Sequence, residues 1–258
     1  MIEPIQVGAE PILAGSGCRG ALILHGFGDT PQSVRDLARF LAMHDWSVHA
    51  PLLAGHGRSL DALTRSRARD WLHDARAALA DLRARHAHVA IVGQSMGGAL
   101  ATILAAESTV KALVLLVPFM RLPPRAARIA RFHRVVSPFI RYLRSRSEYS
   151  ILDPEARRRA LGRGVTTPRL LHELGIVARQ GRTAAGRVRA PTLVIHSRHD
   201  QRVPASDATD SFARLGCRRK ELEWVERSGH VITADYDRDL VAARTLQWID
   251  LHVPADRA

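Results

Sequence analysis

The fold is decided by ten residues in the first half of the chain, Val89-Ala90-Ile91-Val92-Gly93-Gln94-Ser95-Met96-Gly97-Gly98. They begin with a β-branched apolar run that is typical of a buried strand, and residues 99–106 then have the composition of a helix. Ser95 lies at the corner, with a glycine two residues before it and another two residues after it. In a strand-turn-helix context, the pattern Gly-x-Ser-x-Gly strains the serine backbone and lifts its hydroxyl clear of the sheet. This context favours a nucleophilic serine over a plain turn made of glycine and serine.

Stretches typical of strands alternate with amphipathic helical stretches on both sides of this corner. Because parallel strands need helical crossovers, the alternation predicts an α/β fold with a mostly parallel central sheet and helices on both of its faces. The last predicted helix spans residues 238–252. The predicted strands are residues 11–13, 19–25, 47–51, 89–93, 111–117, 192–196 and 221–225.

The formal net charge of +13 is concentrated in one segment of the chain. Residues 119–190 contain 17 arginines, no lysine and only four acidic residues, a surplus of 13 positive charges. Helical patterns in this segment also interrupt the strand-helix alternation, with Pro138 expected to divide or kink them. We therefore expect residues 1–118 and 191–258 to form an α/β core, and residues 119–190 to form an inserted, arginine-rich helical cap.

The excess of arginine has three interpretations that the sequence leaves open. A basic amphipathic surface can contact an anionic membrane, and arginines can bind an anionic group of a substrate. They can also form a solvated face in a chain whose only lysines are Lys111 and Lys220. No nucleic-acid partner is expected, because no DNA- or RNA-binding motif and no interleaved stacking aromatics accompany the charge.

The N-terminus, the apolar runs and the cysteines all favour a cytoplasmic protein. The first residues lack the basic and apolar regions of a signal peptide, and the longest apolar run, residues 112–120, is too short to span a bilayer. The two cysteines, Cys18 and Cys217, have no close spacing. Neither a disulfide framework nor a metal site is therefore expected.

Ser95 needs a base to become a nucleophile, and that base needs an acid to orient it. In this architecture the acid and then the histidine follow the serine, on loops after later strands. Asp200 and His230 each come just after one of the last two predicted strands, so we predict a catalytic triad of Ser95, Asp200 and His230. Nearby alternatives to the base are His199, His196, His56 and His25, of which His199 adjoins the acid but precedes the last strand and breaks the expected order. Asp207 and Asp210 are alternatives to the acid, but both belong to the following predicted helix.

Acyl transfer also needs two preorganised donors for the oxyanion that forms on the carbonyl oxygen. One is expected to be the backbone N–H of Met96, directly after the nucleophile at the N-terminus of the predicted helix. The other is expected from the loop that follows residues 19–25, and we assign it to the N–H of Phe27. His25, at the start of this loop, is expected to be structural.

Five motifs together resemble the α/β-hydrolase superfamily, and within it the small-cap bacterial carboxylesterases and monoacylglycerol lipases. The resemblance extends over residues 20–252, and its motifs are His25-Gly26-Phe27-Gly28, Pro51–Gly57, Gly93–Gly98, Ser197–Asp200 and Ser228–Thr233. It implies hydrolysis of short- to medium-chain esters or monoacylglycerols by Ser95, Asp200 and His230, with no cofactor and no metal. This chain departs from those relatives at Gln94, where they usually carry leucine or a similar apolar residue.

The substrate is expected to be a small ester or lipid, because apolar residues of the predicted cap lie in the sequence where they can line an acyl pocket over Ser95. The fold alone does not distinguish an esterase from a thioesterase, a C–C hydrolase or a perhydrolase, nor from a ligand-binding protein with little turnover. The predicted substrate-binding residues are Phe27, Gln94, Phe119, Met120, Phe139 and Ile140, and further apolar residues of the segment are Ile129, Phe132 and Leu143.

Overall fold

The computed structural model describes residues 3–144, 150–162 and 164–254. The strands in this part of the chain are β1 (Ile12–Ala14), β2 (Arg19–Leu24), β3 (Trp46–Ala50), β4 (Val89–Gln94), β5 (Ala112–Leu116), β6 (Leu143–Arg144), β7 (Val165–Thr166), β8 (Thr192–Ser197) and β9 (Lys220–Val225). Seven of them form a central sheet in the order β1-β3-β2-β4-β5-β8-β9. β1 pairs antiparallel to β3, and the other neighbours in this sheet pair in parallel. The prediction of a mostly parallel central sheet is confirmed.

Both faces of the sheet are buried under helices. Along β2, Leu22 and Leu24 contact one apolar cluster while Ala21 and Ile23 contact the other, because successive side chains of a strand point to opposite faces. On one face the cluster includes residues of α1 (Arg35–Ala42) and α10 (Arg238–His252). On the other face it includes residues of α3 (Ala68–Arg85), α4 (Met96–Glu107) and α8 (Pro168–Ala184). The expected arrangement of helices on both faces is confirmed.

The chain between β5 and β8 contains short elements before the long helix α8. These are α5 (Pro124–Arg131), α6 (His133–Val136), the paired strands β6 and β7, and α7 (Pro154–Arg159). The helical break lies at Phe132, and α6 ends at Val136, two residues before Pro138. The expectation that Pro138 divides or kinks the helical region is therefore wrong. A proline disfavours helix in the residue before it, and Pro138 lies after the end of α6.

α8 belongs to the arginine-rich segment by sequence, but its buried face packs with the core. Leu170, Leu174 and Val177 are part of the same apolar cluster as α3 and α4. The N-terminus of α8 is capped by Thr167, whose side chain accepts a hydrogen bond from the N–H of Leu170 at 3.1 Å, and Pro168 occupies the first turn. The division into a core and a cap of residues 119–190 stays a prediction, and residues 145–149 and 163 of that segment lie outside the described residues.

Two further α-helices are α2 (Leu60–Arg65), before α3, and α9 (Ala205–Arg214), between β8 and β9. Two short 3-10 helices, Pro31–Val34 and Ala185–Arg187, precede α1 and follow α8. Across residues 3–144, 150–162 and 164–254, no helix has both the length and the apolar character needed to cross a membrane.

Candidate active site

Ser95 lies at the turn between β4 and α4, in a backbone conformation that side chains rarely adopt. Its φ is 54° and its ψ is −117°, a strain of about 1–3 kcal/mol that the surrounding structure must offset. The turn also requires a very small neighbour, since a Cβ on Gly97 would lie 2.1 Å from the carbonyl oxygen of Leu24. The turn thus has the strained strand-to-helix geometry that the sequence predicted at Ser95.

Of the three predicted triad residues, His230 lies within hydrogen-bond distance of both Ser95 and Asp200. His230 Nε2 is 2.8 Å from Ser95 Oγ, and His230 Nδ1 is 2.7 Å from Asp200 Oδ2. Asp200 follows β8 and His230 follows β9, so the parallel sheet brings both loops to the edge where β4 also ends. Such an arrangement can transfer the serine proton to the imidazole and stabilise the imidazolium that results.

The carboxylate of Asp200 is held in place by backbone donors as well as by His230. Its Oδ1 accepts hydrogen bonds from the N–H groups of Arg202 and Val203, at 2.7 Å and 3.0 Å. Burial alone would raise the pKa of the Asp200 carboxyl, but the His230 ring and these N–H groups outweigh it and hold the pKa below its ordinary value. The side chain is therefore a carboxylate at neutral pH.

The loop that carries Phe27 lies directly beside the serine. A Cβ on Gly26 would lie 3.3 Å from Ser95 Cβ and 3.8 Å from Ser95 Oγ. Among the residues that the structure describes, the backbone N–H groups of Phe27 and Met96 donate no hydrogen bond to the protein. Two unengaged donors are thus available on the two chain segments that meet at Ser95.

His25 joins this loop to the loop after β3. Its Nδ1–H donates to the carbonyl of Gly26 at 2.9 Å, and its Nε2 accepts the N–H of Leu53 at 3.2 Å. Burial and the neighbouring His56 lower the pKa of His25 to about 3, so its ring is neutral. The ring of His56 lies between His25, Phe27 and Trp71, with centroids 5.1–5.9 Å apart. His25 is therefore placed to fix the loop rather than to exchange protons with Ser95.

A cavity of about 220 Å³ opens in front of Ser95 and His230. Three of the predicted substrate-binding residues, Phe27, Gln94 and Phe119, line it. Further apolar residues of the arginine-rich segment, Ile151 and Leu174, complete the wall on that side. The cavity can hold an apolar acyl group next to Ser95.

The other three predicted substrate-binding residues do not reach this cavity, and the expectation is corrected for them. Met120 is buried and lines a separate cavity between α5 and α8. Phe139 is 86% exposed, and Ile140 is half-buried away from the cavity wall. The physical reason is that the helical region ends at Val136, so the chain at Phe139 and Ile140 runs along the surface instead of over Ser95.

Gln94 is buried beside Ser95 and is hydrogen-bonded to the loop that carries His230. The Thr233 hydroxyl donates to Gln94 Oε1 at 2.6 Å and also lies 2.8 Å from the carbonyl of Ser33. Gln94 therefore joins the turn at Ser95 to the His230 loop through Thr233, whose hydroxyl also lies beside Ser33.

A family model described as "Serine aminopeptidase, S33" matches residues 19–237. The match covers most of the chain and includes Ser95, Asp200 and His230. The chain belongs to this family. It is a serine hydrolase with the α/β-hydrolase fold, as its motifs and its sheet both indicate.

The relatives of this serine hydrolase include named lipases and esterases. It is 29% identical to a thermostable monoacylglycerol lipase from Bacillus sp. (strain H-257), over 96% of this chain and 97% of the relative. It is 26% identical to a carboxylesterase from Bacillus subtilis (strain 168), over 93% and 96% of the two chains. A solved structure described under the metagenome-derived lipolytic enzymes LipS and LipT is 30% identical, with a TM-score of 0.88 over 96% of this chain and 100% of that chain. The resemblance to bacterial esterases and monoacylglycerol lipases is confirmed.

Three of the residues that competed with the triad in the sequence lie elsewhere. His199 is exposed, Asp207 pairs with Arg121, and Asp210 pairs with Arg182 and Arg214. No group of side chains within the described part of the molecule has the composition of a metal site.

Sequence reasoning missed one buried carboxylate that supports the site. Asp235 is completely buried and accepts the N–H groups of Gly229, Leu152 and Asp153 at 2.7–2.8 Å, and that of Tyr236 at 2.9 Å. It thereby joins the His230 loop to the arginine-rich segment. The signal that could have identified it is a pair of aspartates, at positions 235 and 237, between the last strand and the terminal helix.

Proposed function

We propose that Ser95, His230 and Asp200 form the catalytic triad of this enzyme, which hydrolyses carboxylic esters, including monoacylglycerols. The observation that carries the proposal is the continuous hydrogen-bond path from Ser95 Oγ through the His230 ring to Asp200, at 2.8 Å and 2.7 Å. It is supported by relatives named as a monoacylglycerol lipase and a carboxylesterase over nearly the whole chain.

The reaction proceeds in two halves. His230 Nε2 accepts the proton of Ser95 as Oγ attacks the ester carbonyl, and the imidazolium then gives that proton to the departing alcohol. A water molecule next loses a proton to His230, attacks the acyl-enzyme and releases the carboxylic acid. Throughout, Asp200 keeps Nδ1 of His230 protonated and balances the positive charge of the ring.

The N–H groups of Phe27 and Met96 are the donors for the oxyanion in both halves. Losing one such donor typically lowers the rate about a hundredfold to a thousandfold. The Phe27 loop is held by the two hydrogen bonds of His25, and the Met96 segment packs closely against the Leu24 carbonyl at Gly97. Both backbone N–H groups therefore need little reorganisation during the reaction.

The acyl group fits the apolar part of the cavity that Phe27, Phe119, Ile151 and Leu174 line. The small volume, about 220 Å³, favours short and medium acyl chains. A series of p-nitrophenyl esters of increasing chain length, measured beside monoacylglycerols, tests this preference. A rate that rises steadily to long chains would contradict it.

The triad is tested by a Ser95→Ala variant. We expect ester hydrolysis to fall by at least about a thousandfold, and covalent labelling by a fluorophosphonate probe to disappear. A Ser206→Ala variant is the matched control, because Ser206 is an exposed serine on α9. Esterase activity that survives in Ser95→Ala, in protein free of contaminating enzyme, would contradict the proposal. Wild-type protein that fails to label at Ser95 would instead favour a ligand-binding protein without turnover.

The same triad can serve other acyl substrates, which direct competition distinguishes. The test compares kcat/KM for hydrolysis of an ester with kcat/KM for three other reactions of the same acyl group. These are hydrolysis of the thioester, cleavage of a C–C bonded diketone and formation of the peracid. We expect the ester to give the highest kcat/KM, and a higher value for one of the others would reassign the reaction class.

Peripheral contact with an anionic membrane is the second part of the proposal. Residues 119–144 contain seven arginines and no acidic residue. Among them Phe132, Val135 and Phe139 are 50%, 67% and 86% exposed, a combination suited to an anionic lipid surface. The cytoplasmic location expected from the sequence stays a prediction beside it.

Flotation with liposomes tests the membrane contact. We expect recovery with vesicles that contain anionic lipid to exceed recovery with neutral vesicles, and to fall in a Phe139→Ser variant. Leu251→Ser is the matched control, since Leu251 is an exposed leucine, 71% accessible, on α10. Equal recovery with both kinds of vesicle would remove this part of the proposal.

A further inference from the structure

A buried histidine lies behind the Asp200 carboxylate, and the mechanism does not use it. His196 belongs to β8, four residues before Asp200, and its side chain is completely buried. It does not line the cavity in front of Ser95. Its Nε2 is 2.9 Å from the carbonyl oxygen of Val203. Because a carbonyl oxygen only accepts hydrogen bonds, Nε2 must carry the ring hydrogen and donate it to Val203.

This hydrogen bond closes the turn that presents the Asp200 carboxylate. The N–H of Val203 donates to Asp200 Oδ1 at 3.0 Å, while the carbonyl of Val203 accepts from His196. Val203 is therefore held on both sides, once by the carboxylate and once by a side chain of β8. Since β8 is paired with β5 on one side and with β9 on the other, it is a rigid support for the turn. His196 thus fixes the end of the turn to the central sheet.

The same ring nitrogen also lies near the oxygen of Asp200 that is bonded to His230. His196 Nε2 is 3.8 Å from Asp200 Oδ2, and His230 Nδ1 is 2.7 Å from that oxygen. The longer distance is too great for a hydrogen bond. It nevertheless brings the partly positive N–H group of His196 close to the carboxylate, away from water, where electrostatic interactions are stronger than at the surface. This proximity stabilises the negative charge that balances a protonated His230.

The ring of His196 is suited to this position as a neutral group. Its Nδ1 is buried and, within the described residues, has no hydrogen-bond partner, so a second ring proton would have no acceptor in the protein. Burial lowers the pKa of His196, and the charge of His230 adds to this effect. The hydrogen bond to Val203 and the carboxylates of Asp200 and Asp207 oppose the fall without reversing it. A charged His196 would compete with His230 for the same carboxylate oxygen.

We propose that His196 is a positioning residue for the reaction at Ser95, which holds the Asp200 carboxylate in the orientation that His230 needs. The inference rests on the proposed triad and deepens it by adding a fourth side chain that acts through Asp200. Because His196 does not line the substrate cavity, its loss lowers kcat and leaves KM unchanged.

Two substitutions separate the hydrogen bond of His196 from its packing. His196→Phe keeps a planar ring but removes the donor to Val203, whereas His196→Gln keeps an N–H donor at the end of the side chain. We expect kcat for a short p-nitrophenyl ester to fall roughly tenfold to a hundredfold in His196→Phe, because a small misplacement of the triad is costly. We expect His196→Gln to recover most of the lost activity. His199→Phe is the matched control with wild-type kcat, because His199 is exposed and adjoins Asp200 in the sequence.

The pH profile distinguishes positioning from a general loss of structure. Each kcat is expressed per site that a fluorophosphonate probe labels at completion, so that misfolded protein does not count. An Asp200 carboxylate that is out of place stabilises a protonated His230 less, so His230 becomes a free base at lower pH. We therefore expect the acid limb of the kcat/KM profile to move to lower pH in His196→Phe but not in His196→Gln. Unchanged kcat per labelled site in His196→Phe, or an unmoved acid limb, would overturn the inference.

A measurement on the wild-type protein does not depend on the folding of any variant. Nitrogen NMR of a histidine ring distinguishes a hydrogen on Nε2 from one on Nδ1 and from a charged ring. At neutral pH we expect His196 to give the signals of a neutral ring with its hydrogen on Nε2, because the Val203 carbonyl needs a donor there. A charged ring, or a hydrogen on Nδ1, would overturn the inference.

The two proposals fail in different ways. If the wild-type protein does not label at Ser95, or Asp200→Asn keeps full activity, the triad falls and the inference falls with it. If Asp200→Asn is inactive while His196→Phe keeps the wild-type kcat per labelled site, the triad stands and only the role of His196 is overturned.

Discussion

The carboxylate of Asp235 accepts a hydrogen bond from the N–H of Gly229 at 2.7 Å, one residue before His230. The same carboxylate accepts the N–H groups of Leu152 and Asp153, in the segment between β6 and α7. The N–H of Val231, on the other side of His230, donates to the carbonyl of Ser150 at 2.7 Å. The arginine-rich segment and the loop that carries His230 are thus one hydrogen-bonded unit.

Replacing Asp235 by alanine is expected to damage both stability and catalysis. Several buried N–H groups would lose their acceptor, at a cost of about 3–5 kcal/mol in the free energy of unfolding. Because the His230 loop would also lose its anchor, we expect kcat to fall at least about tenfold. Urea unfolding and ester hydrolysis measure the two effects, with the exposed Asp239→Ala as control. Equal stability of the two variants would show that Asp235 is not an anchor.

The central sheet and the strand-to-helix turn at Ser95 could be predicted from the sequence because they depend on local patterns. Hydrophobic periodicity in the residues indicates the strands and the helix after Ser95. The glycines on either side of Ser95 indicate a turn that only very small residues can form. The order of Asp200 and His230 after the last strands followed from the same alternation of strands and helices. The structure brings His230 to Ser95 and Asp200 to His230.

The arginine-rich segment could not be predicted in the same way. Its helices are short, and their apolar residues divide between the cavity, the core and the surface, so spacing alone could not show that Phe119 lines the cavity while Phe139 is exposed. Asp235 was missed for a related reason. Its partners are backbone N–H groups from distant segments, which leave no trace in side-chain patterns.

Asp200→Asn is expected to keep the fold and lose the reaction. The amide can still accept from Arg202 and Val203 through its oxygen, but it cannot stabilise a positive His230. We expect kcat to fall by about a thousandfold or more. Asp210→Asn is the matched control, because Asp210 pairs only with arginines near α9 among the described residues. The reverse result, with activity lost in Asp210→Asn alone, would move the acid of the triad.

The buried neutral histidines predict how stability changes with pH. Burial lowers the pKa of His25 to about 3 and that of His56 to about 4, below the ordinary value near 6.5. Between about pH 6.5 and pH 4 the unfolded chain therefore binds protons that the native protein does not, and stability falls as the pH falls. Each histidine contributes up to about 1.4 kcal/mol per pH unit.

His56→Phe isolates one of these contributions, because the phenyl ring fits among Phe27, His25 and Trp71 but does not titrate. Urea unfolding at several pH values between 7 and 4.5 measures the slope of stability against pH in each protein. We expect a shallower slope in the variant than in the wild type. Identical slopes would mean that His56 has the same pKa in the folded protein as in the unfolded chain.

Gly26→Ala is expected to slow catalysis, because Gly26 lies directly beside Ser95. The added methyl group would lie 3.8 Å from Ser95 Oγ and 3.3 Å from Ser95 Cβ. The distance to Ser95 Cβ is shorter than an ordinary van der Waals contact. It would disturb the loop whose Phe27 N–H is proposed to hold the oxyanion, so we expect kcat to fall about a hundredfold. Gly186→Ala is the matched control, because its added Cβ would meet only the carbonyl oxygen of Arg214, at 3.9 Å. Hydrolysis of a short p-nitrophenyl ester measures both variants, and full activity in Gly26→Ala would exclude this loop from the oxyanion site.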